Sequence, residues 1–386
     1  MAEAAILIIL ASLALVYGGY PILVTILATV SPRGAPVRVA SQLSSVSIIV
    51  CAHNEAAAIG AKLNSVLASV AAVPERVEII VCDDGSTDRT AKIVAEIGAT
   101  STVPFRLFKL PRGGKAAALR VAMAEATGEI LVFSDADPLW EAATLPALLA
   151  PFGDATVGAV AGEVRGLRTA RAGTWRGSEA LFRRYESAIR AAEDRLFGCV
   201  SADGGLFALR AALAEPVPGD VTDDFFLSTA AVARGLRIAF APEAAVYEVA
   251  PDGQRQHFRR RIRITVRGLT GLRRRRALLN PWRTGAYAFG LLFHKLLRRL
   301  APLLLVPLWA ALLALVAEQG SPLHLAAFGT LSALAAGTAV ILLLPLKVPK
   351  LLRLPAYLGI HLGGLAIGTV LFLTGKRYTQ WAPQQR

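Results

Sequence analysis

Cysteine is scarce in this chain. Cys51, Cys82 and Cys199 are the three among 386 residues, an odd number with neither a Cys-x-x-Cys pair nor a Cys/His cluster. That spacing excludes a disulfide framework and a structural zinc site, and it suits a reducing, cytosolic setting. Cys51 and Cys82 sit inside apolar runs and read as core residues rather than nucleophiles. Acidic residues are also few, 28 against 42 Lys and Arg, for a net charge of +14. The basic excess abuts apolar segments and no nucleic-acid-binding motif accompanies it, so nucleic acid is disfavoured as a partner. A cytoplasmic face held against anionic lipid fits the same charge better. No G-x-G-x-x-G follows an apolar run, which argues against a dinucleotide-binding dehydrogenase. The stretch RGGKAAAL (112–119) lacks both the spacing and the Ser/Thr of a P-loop. No repeat of solenoid length and no low-complexity tract is present.

What the chain has in abundance is apolar sequence: 54% hydrophobic residues and a mean hydropathy of +0.50, too much for an ordinary soluble domain. Residues 4–32 carry no charge, enough to cross a bilayer of about 30 Å at 1.5 Å per residue. Glu3 and the length of the run argue against a cleaved signal peptide. Arg33 and Arg38 follow directly and place the downstream chain in the cytoplasm. Residues 31–45 read as a short linker. Uncharged runs near 301–317, 323–346 and 354–374 predict three further spans. Three spans would carry the C-terminus outside, where Lys376, Arg377 and Arg386 are disfavoured. Either one run does not cross, or the tail crosses despite its charge. Ahead of these runs lies QRQHFRRRIRITVRGLTGLRRRR (254–276). LLNPWRTGAYAFGLLFHKLLRRL (278–300) then mixes basic, aromatic and apolar residues as an interfacial amphipathic helix does.

Between about 45 and 250, short apolar runs alternate with Ala-rich helical stretches, the pattern of an α/β domain with a largely parallel sheet. VSIIVCAHNE (46–55) is a buried strand leaving into a polar loop, followed by the helix IGAKLNSVLASV. VEIIVCDDGSTD (77–88) repeats the plan, with a helix expected to open near Ser86 or Thr87. FRLFKL leads through the turn 111–114 into KAAALRVAMAEA, and EILVFSDAD (129–137) is the fourth strand. AVAGEVRG (159–166) is a strand and turn, and LRIAFAPEAAVYEVAP (236–251) reads as strand, turn and strand. Ligands of open α/β sheets bind beyond the C-terminal ends of such strands.

Several motifs gather there. Asp135 and Asp137, in a turn at the end of a strand, can reach one hard cation such as Mg²⁺ or Mn²⁺; an ordinary strand-ending turn with Pro138 is the competing reading. Asp83 or Asp84 can accept from a nucleobase N–H, or simply belong to a turn. Lys115 at a helix N-terminus can meet a phosphate. Asp223 and Asp224 open a helix, where the dipole alone favours them.

In order and spacing, VSIIVCAHNE, VCDDGSTD, GGKAAALR, FSDAD, DGGLFALR and TDDFFL resemble the membrane-anchored branch of the family 2 glycosyltransferases. The resemblance covers nearly the whole chain, including a terminal Trp381. It implies a GT-A catalytic domain (a Rossmann-like, mostly parallel α/β fold) with helical transmembrane segments. The expected divisions are an N-terminal span and linker at 1–34, the catalytic domain at 35–255, an arginine-rich and interfacial segment at 256–300, and C-terminal spans with a short tail at 301–386. By the same likeness Ala52, His53, Glu55 and Asp84, with Asp83, would hold the nucleotide's base and ribose, and Lys115 would lie against the nucleotide. Asp135 and Asp137 would bind Mg²⁺ or Mn²⁺ bridging the diphosphate, and Asp224 would be the catalytic base with Asp223 beside it. Gly204, Gly205, Gln256, Arg259, Arg260 and Arg263 would form the acceptor and diphosphate region. Asp223 stands where family members usually carry Glu, which shortens its reach. The Gln-x-x-Arg-Trp signature of processive cellulose and hyaluronan synthases is approximated by Gln256, Arg259 and Arg260, with Arg263 as another register, but no Trp follows.

The expected activity is therefore metal-dependent, inverting sugar (hexosyl) transfer from a nucleotide-sugar, with UDP as the expected nucleotide, to a lipid-linked or membrane-presented glycan acceptor. The enzyme would sit in a plasma or bacterial inner membrane, in contact with its lipids, with the catalytic domain in the cytoplasm. A processive synthase that extrudes polymer is one alternative. A basic membrane-anchored binding or scaffold protein with a non-catalytic nucleotide fold is another.

Overall fold

A computed structural model describes residues 2–30, 45–73, 76–166, 176–248, 253–344 and 348–379. Residues 31–44 of the linker expected at 31–45, and Trp381, lie outside the described residues; Ser45 already belongs to the first strand. Among the described residues, one sheet of eight strands organises the region between 45 and 248, in the order β3-β2-β1-β4-β7-β6-β8-β5. The strands are β1 (Ser45–Ala52), β2 (Arg76–Asp84), β3 (Phe105–Leu110), β4 (Ile130–Asp135), β5 (Leu139–Trp140), β6 (Val157–Gly166), β7 (Phe207–Arg210) and β8 (Arg237–Glu248). The β3-β2-β1-β4 half is parallel, as the alternation of strand and helix required; β7 then pairs antiparallel with both β4 and β6.

β1 shows why a continuous apolar run becomes a central strand: both of its faces are covered. Ile48 and Val50 point to one side, where they meet Ile59, Leu63 and Val66 of α2 (Ile59–Val70) and Val94 of α3 (Thr90–Ala99). Ile49 and Cys51 point to the other, against Ala118 and Leu119 of α4 (Lys115–Glu125). All three cysteines are buried thiols; for Cys51 and Cys82 this is the core role read from their neighbours. Register then builds the rim. Ala52 lies opposite Asp83, and Cys51 opposite Asp135.

Two local expectations differ from what is observed. The second helix opens at Thr90, because Asp88 Oδ1 accepts from the Thr90 amide at 2.9 Å and from its hydroxyl at 2.5 Å. Ser86 and Thr87 instead tie the β2 loop to Asn54. The strand, turn and strand expected at 236–251 form one strand, β8. Its pairing with β6 slips between Gly162 and Glu163, opposite Ala241 and Ala245. Pro242, which has no N–H to give the ladder, falls in that bulge rather than ending the strand.

Beyond the sheet, α5 (Thr144–Leu149) packs on the same face as α2, α6 (Arg176–Leu196) follows β6, and α7 (Asp223–Ala233) precedes β8. The arginine-rich run forms α8 (Gln254–Arg274). Arg267 donates to the Val221 carbonyl, and Arg274 reaches Asp220 at 2.7 Å, clamping α8 against the loop that leads to α7. Among the described residues, four helices are long and apolar enough to cross a membrane: α1 (Ala2–Val30), α9 (Ala286–Gln319), α10 (Pro322–Leu343) and α11 (Lys350–Leu373). The interfacial stretch expected up to 300 and the span expected from 301 are one helix, α9, so the division placed at 300/301 falls inside it. Irregular turns at Leu291–Leu297 and Ala301–Leu304 accommodate Pro302 without breaking the helix.

The ends of these helices sort into two levels. Gln319 donates to Glu3 at 3.4 Å, so α9 finishes beside the start of α1, far from the sheet. α10 returns, and Arg255 of α8 donates to its Leu342 carbonyl at 2.6 Å. α11 then runs alongside α8. A Cβ at Gly368 would lie 2.7 Å from the Thr265 Cβ, so glycine permits this approach. The residues after α11 arrive at the rim of the sheet, where the Thr379 carbonyl lies 4.0 Å from the position of a Cβ on Gly114.

Candidate functional site

The rim is stitched together before any ligand arrives. Asn54 has φ of +54°, the left-handed region that Asn tolerates. There its side chain accepts from the Thr87 amide at 2.8 Å while its own amide donates to Ser86 Oγ at 2.9 Å. His53 Nδ1 lies 2.8 Å from the Asp84 carbonyl, and the Glu55 amide donates to Thr90 Oγ1 at 2.8 Å. Ala52, His53 and Glu55 therefore stand at the end of β1, as expected, and shape the first loop.

Asp84 has a different job from the one expected of it. Its carboxylate is 1% exposed; Oδ1 accepts from the Gly113 and Gly114 amides at 2.7 and 2.9 Å, and Oδ2 pairs with Arg112. Those bonds fix the 111–114 turn that delivers Lys115 and leave the Asp84 oxygens engaged within the protein. Asp83 spends Oδ1 on Ser86, at 3.2 Å from the amide and in a short bond with the hydroxyl.

Lys115, first residue of α4, is the electrostatic hub. Its Nζ donates to Asp135 Oδ1 at 2.6 Å and lies 2.7 Å from Asp223 Oδ2, joining the end of β4 to the start of α7. Burial disfavours the ammonium, but these two carboxylates outweigh it and hold the lysine well above its ordinary value. Burial and Asp223 push Asp135 above the usual carboxyl range, with Lys115 opposing. Asp223 is held below it by Lys115 despite its burial. Asp224 goes the other way. Burial, then the charges of Asp223 and Asp203, push it up to about 6, even though Oδ1 accepts from the Phe225 amide at 2.7 Å. Adjacent carboxylates are thus pushed in opposite directions, Asp223 down and Asp224 up.

Gly204 lies between the two sides of the site. A Cβ there would stand 3.6 Å from Asp135 Oδ2 and 3.7 Å from Asp224 Oδ2, so both carboxylates flank one backbone position. Gly205 is needed for packing, since its Cβ would meet Val164 at 2.6 Å, and its carbonyl accepts from Ser134 at 2.7 Å. Asp137 follows at the half-exposed end of the same turn.

No group of three or more His, Cys, Asp or Glu that could hold a metal is present among the described residues. The donor set still fits a hard cation shared with a ligand. Asp135 and Asp137 offer carboxylate oxygens only, Asp135 is incompletely compensated where it stands, and Mg²⁺-type ions keep several positions for phosphate oxygens and water.

Of the four α8 residues expected to face acceptor or diphosphate, Arg260 lines a cavity of about 250 Å³ that reaches Asp224. Its guanidinium lies 3.8 Å from Glu248. Arg259 is exposed, and neither Gln256 nor Arg263 lines that cavity. The sequence reading passed over Lys62. This fully buried lysine of α2 donates to Ser134 Oγ at 2.6 Å and to the Pro138 carbonyl at 2.8 Å, holding the Asp135–Asp137 turn from behind. The signal was available: Lys62 falls at helical spacing among Ile59, Leu63 and Val66, on the face that must be buried.

Comparison with known proteins points to one family. Residues 47–214 match the family described as glycosyl transferase family 2, and residues 168–343 match glycosyl transferase family group 2. The chain is 28% identical over 230 residues to the probable glycosyltransferase YdaM of Bacillus subtilis (strain 168), covering 58% of this chain and 54% of that one. It thus spans about half the length of that relative. It is 30% identical over 125 residues to an N-acetylglucosaminyltransferase of Rhizobium leguminosarum bv. trifolii, covering 32% of this chain and 69% of that protein. Among solved structures, the mannosyltransferase PcManGT from Pyrobaculum calidifontis, in complex with GDP-Man and Mn²⁺, superposes with a TM-score of 0.74. It is 26% identical over 97% of this chain and 100% of its own.

Proposed function

Because the chain belongs to the family 2 glycosyltransferases, we propose that it transfers a sugar, with inversion, from a nucleotide-sugar to an acceptor presented at a membrane surface. The observation that carries this reading is the placement of Asp135 and Asp224 on either side of Gly204, with Lys115 bridging Asp135 to Asp223. The acceptor hydroxyl loses its proton to Asp224 as its oxygen bonds to the anomeric carbon. On the opposite face the bond to the diphosphate breaks, and the nucleoside diphosphate leaves. An Asp224 carboxyl near 6 is ionised at neutral pH and still basic enough to accept.

Asp135 and Asp137 are the residues that would hold Mg²⁺ or Mn²⁺, which when bound offsets negative charge building on the leaving diphosphate. Asp83, His53 and the loop around Glu55 hold the nucleotide end. Uridine is the nucleotide expected from the resemblance of the motifs, and guanosine stands beside it because the mannosyltransferase PcManGT is in complex with GDP-Man. α8, clamped over the site by Arg267 and Arg274, limits entry of water as a competing acceptor. Single-sugar addition is preferred to extrusion of a polymer, since Arg260 has no Trp beside it and the cavity at Asp224 is small.

The levels of the helix ends also suggest a topology. α1, α9 and α10 cross the membrane, and α11 stays beside α8 at the cytoplasmic level. Lys350, Arg353, Lys376 and Arg377 then all stand inside, and the parity conflict of four full crossings disappears.

Nucleotide release by the purified protein across UDP- and GDP-sugars, with and without Mg²⁺ or Mn²⁺ and with native lipid extract, tests the proposal. Metal-dependent release with one donor, enhanced by lipid, is expected. A protein that neither binds nor turns over any donor in Mn²⁺ would instead be a scaffold.

A further inference from the structure

The cavity beside Asp224 extends away from Lys115 and Asp135, between α6, α8, the first turns of α9, and α11. Most of its charges are matched. Arg183 pairs with Glu179 and Glu248, Arg190 with Asp203, and Arg298 with Glu186. Three cations are not: among the described residues no carboxylate lies within 4.0 Å of Arg261, Lys295 or Arg299. Arg261 Nε is buried without a hydrogen-bond partner, its guanidinium 5.7 Å from the Phe182 ring. Arg299 Nη1 donates to the Lys295 carbonyl, one turn back along its own helix, at 2.7 Å. Arg261 also acts on His257, on the same wall. Burial, then Arg261, Arg260 and Arg183, press its imidazole down to about 3.

Cations drawn out of water without partners are costly to keep, and a fork-shaped guanidinium beside an ammonium matches the oxygens of a phosphate. The remaining lining includes Phe182, Ile264, Tyr357 and Leu365, and it leads to α11, one of the four apolar helices. An occupant must therefore be anionic at one end and apolar at the other.

We propose that the cavity seats the phosphate of an amphiphilic lipid-phosphate acceptor on Arg261, Lys295 and Arg299, next to Asp224. This rests on the glycosyltransferase reading for the identity of the occupant as acceptor, but the anion site itself can be measured without transfer. The test is calorimetric binding of farnesyl phosphate to the full chain in detergent, against farnesol and inorganic phosphate, with and without a saturating nucleoside diphosphate and Mn²⁺. Farnesyl phosphate should bind about tenfold or more tightly than either control, the size of one charge-assisted contact. Lys295→Gln and Arg261→Gln, on two different helices, should each weaken it roughly fivefold or more while nucleoside diphosphate affinity stays unchanged; that unchanged affinity also shows that the variants fold.

Equal binding of farnesol would overturn the proposal by making the site merely apolar. Equal binding of inorganic phosphate would make it a free-anion site. Competitive displacement by the nucleoside diphosphate would assign the cations to the donor. Failure of the glycosyltransferase reading looks different: no nucleotide-sugar binding or turnover, with farnesyl phosphate binding intact.

Discussion

Replacing Lys62 by methionine removes a positive charge from the core directly behind the Asp135–Asp137 turn. The side chain is 0% exposed, and its Nζ has two oxygen partners, Ser134 Oγ and the Pro138 carbonyl, with the Trp140 ring centroid 4.7 Å away. Burial lowers its proton affinity from the ordinary 10.5 to about 7, while Asp137, Asp135 and Glu248 oppose the shift. Between those two values the unfolded chain holds the proton and the folded one does not, so stability rises with pH across the window; below about 7 the cost is fully present. At about 1.4 kcal/mol for each tenfold change in proton affinity, that cost is roughly 5 kcal/mol at acidic pH. Methionine, of similar length, avoids it. What it forfeits is the donor to Pro138, about 1–3 kcal/mol for an orphaned carbonyl. Ser134 remains bonded, donating to the Gly205 carbonyl and accepting from Trp140 Nε1 at 3.3 Å. Lys62→Met should therefore be more stable than the parent at pH 6, by roughly 2–4 kcal/mol, and no more stable at pH 10. The apparent Tm in detergent, taken at one scan rate by tryptophan fluorescence, reads the difference at both pH values. A melting difference independent of pH, or a variant that melts lower at pH 6, would refute the reasoning.

Two further outcomes concern the chemistry. Asp224→Asn should abolish transfer, by about 10²–10⁴-fold for a lost base, while donor affinity is kept. In the parent the rate should fall as pH drops through about 6, where Asp224 takes up its proton; an acidic limb that persists unchanged in the variant's residual rate would assign the titration elsewhere. Asp137→Ala should leave metal-free nucleotide binding alone and remove the strengthening brought by Mn²⁺, measured by titrating nucleoside diphosphate at fixed metal; an unchanged Mn²⁺ effect would take Asp137 out of the metal site.

Much of this protein was legible in local pattern. The apolar runs marked β1, β2 and β4 because a central parallel strand must be apolar on both faces, and their polar ends marked the rim for the same reason. Uncharged stretches near the thickness of a bilayer marked α1, α10 and α11, since length and hydropathy are properties of a segment alone. Tertiary structure decided which of those groups meet. Lys115 lies between Asp135 and Asp223 because sheet register and the entry of α7 bring three distant segments together, and no local period encodes that. Asp84 is engaged by Arg112 and the 113–114 amides, partners 28 to 30 positions away that no local pattern announces. Lys62 and Ser134 are 72 positions apart and touch only when α2 packs under β4. The placement of α11 beside α8, with Thr379 at the catalytic rim, depends on glycine-mediated contact between helices, whereas hydropathy scores each helix as if it stood alone.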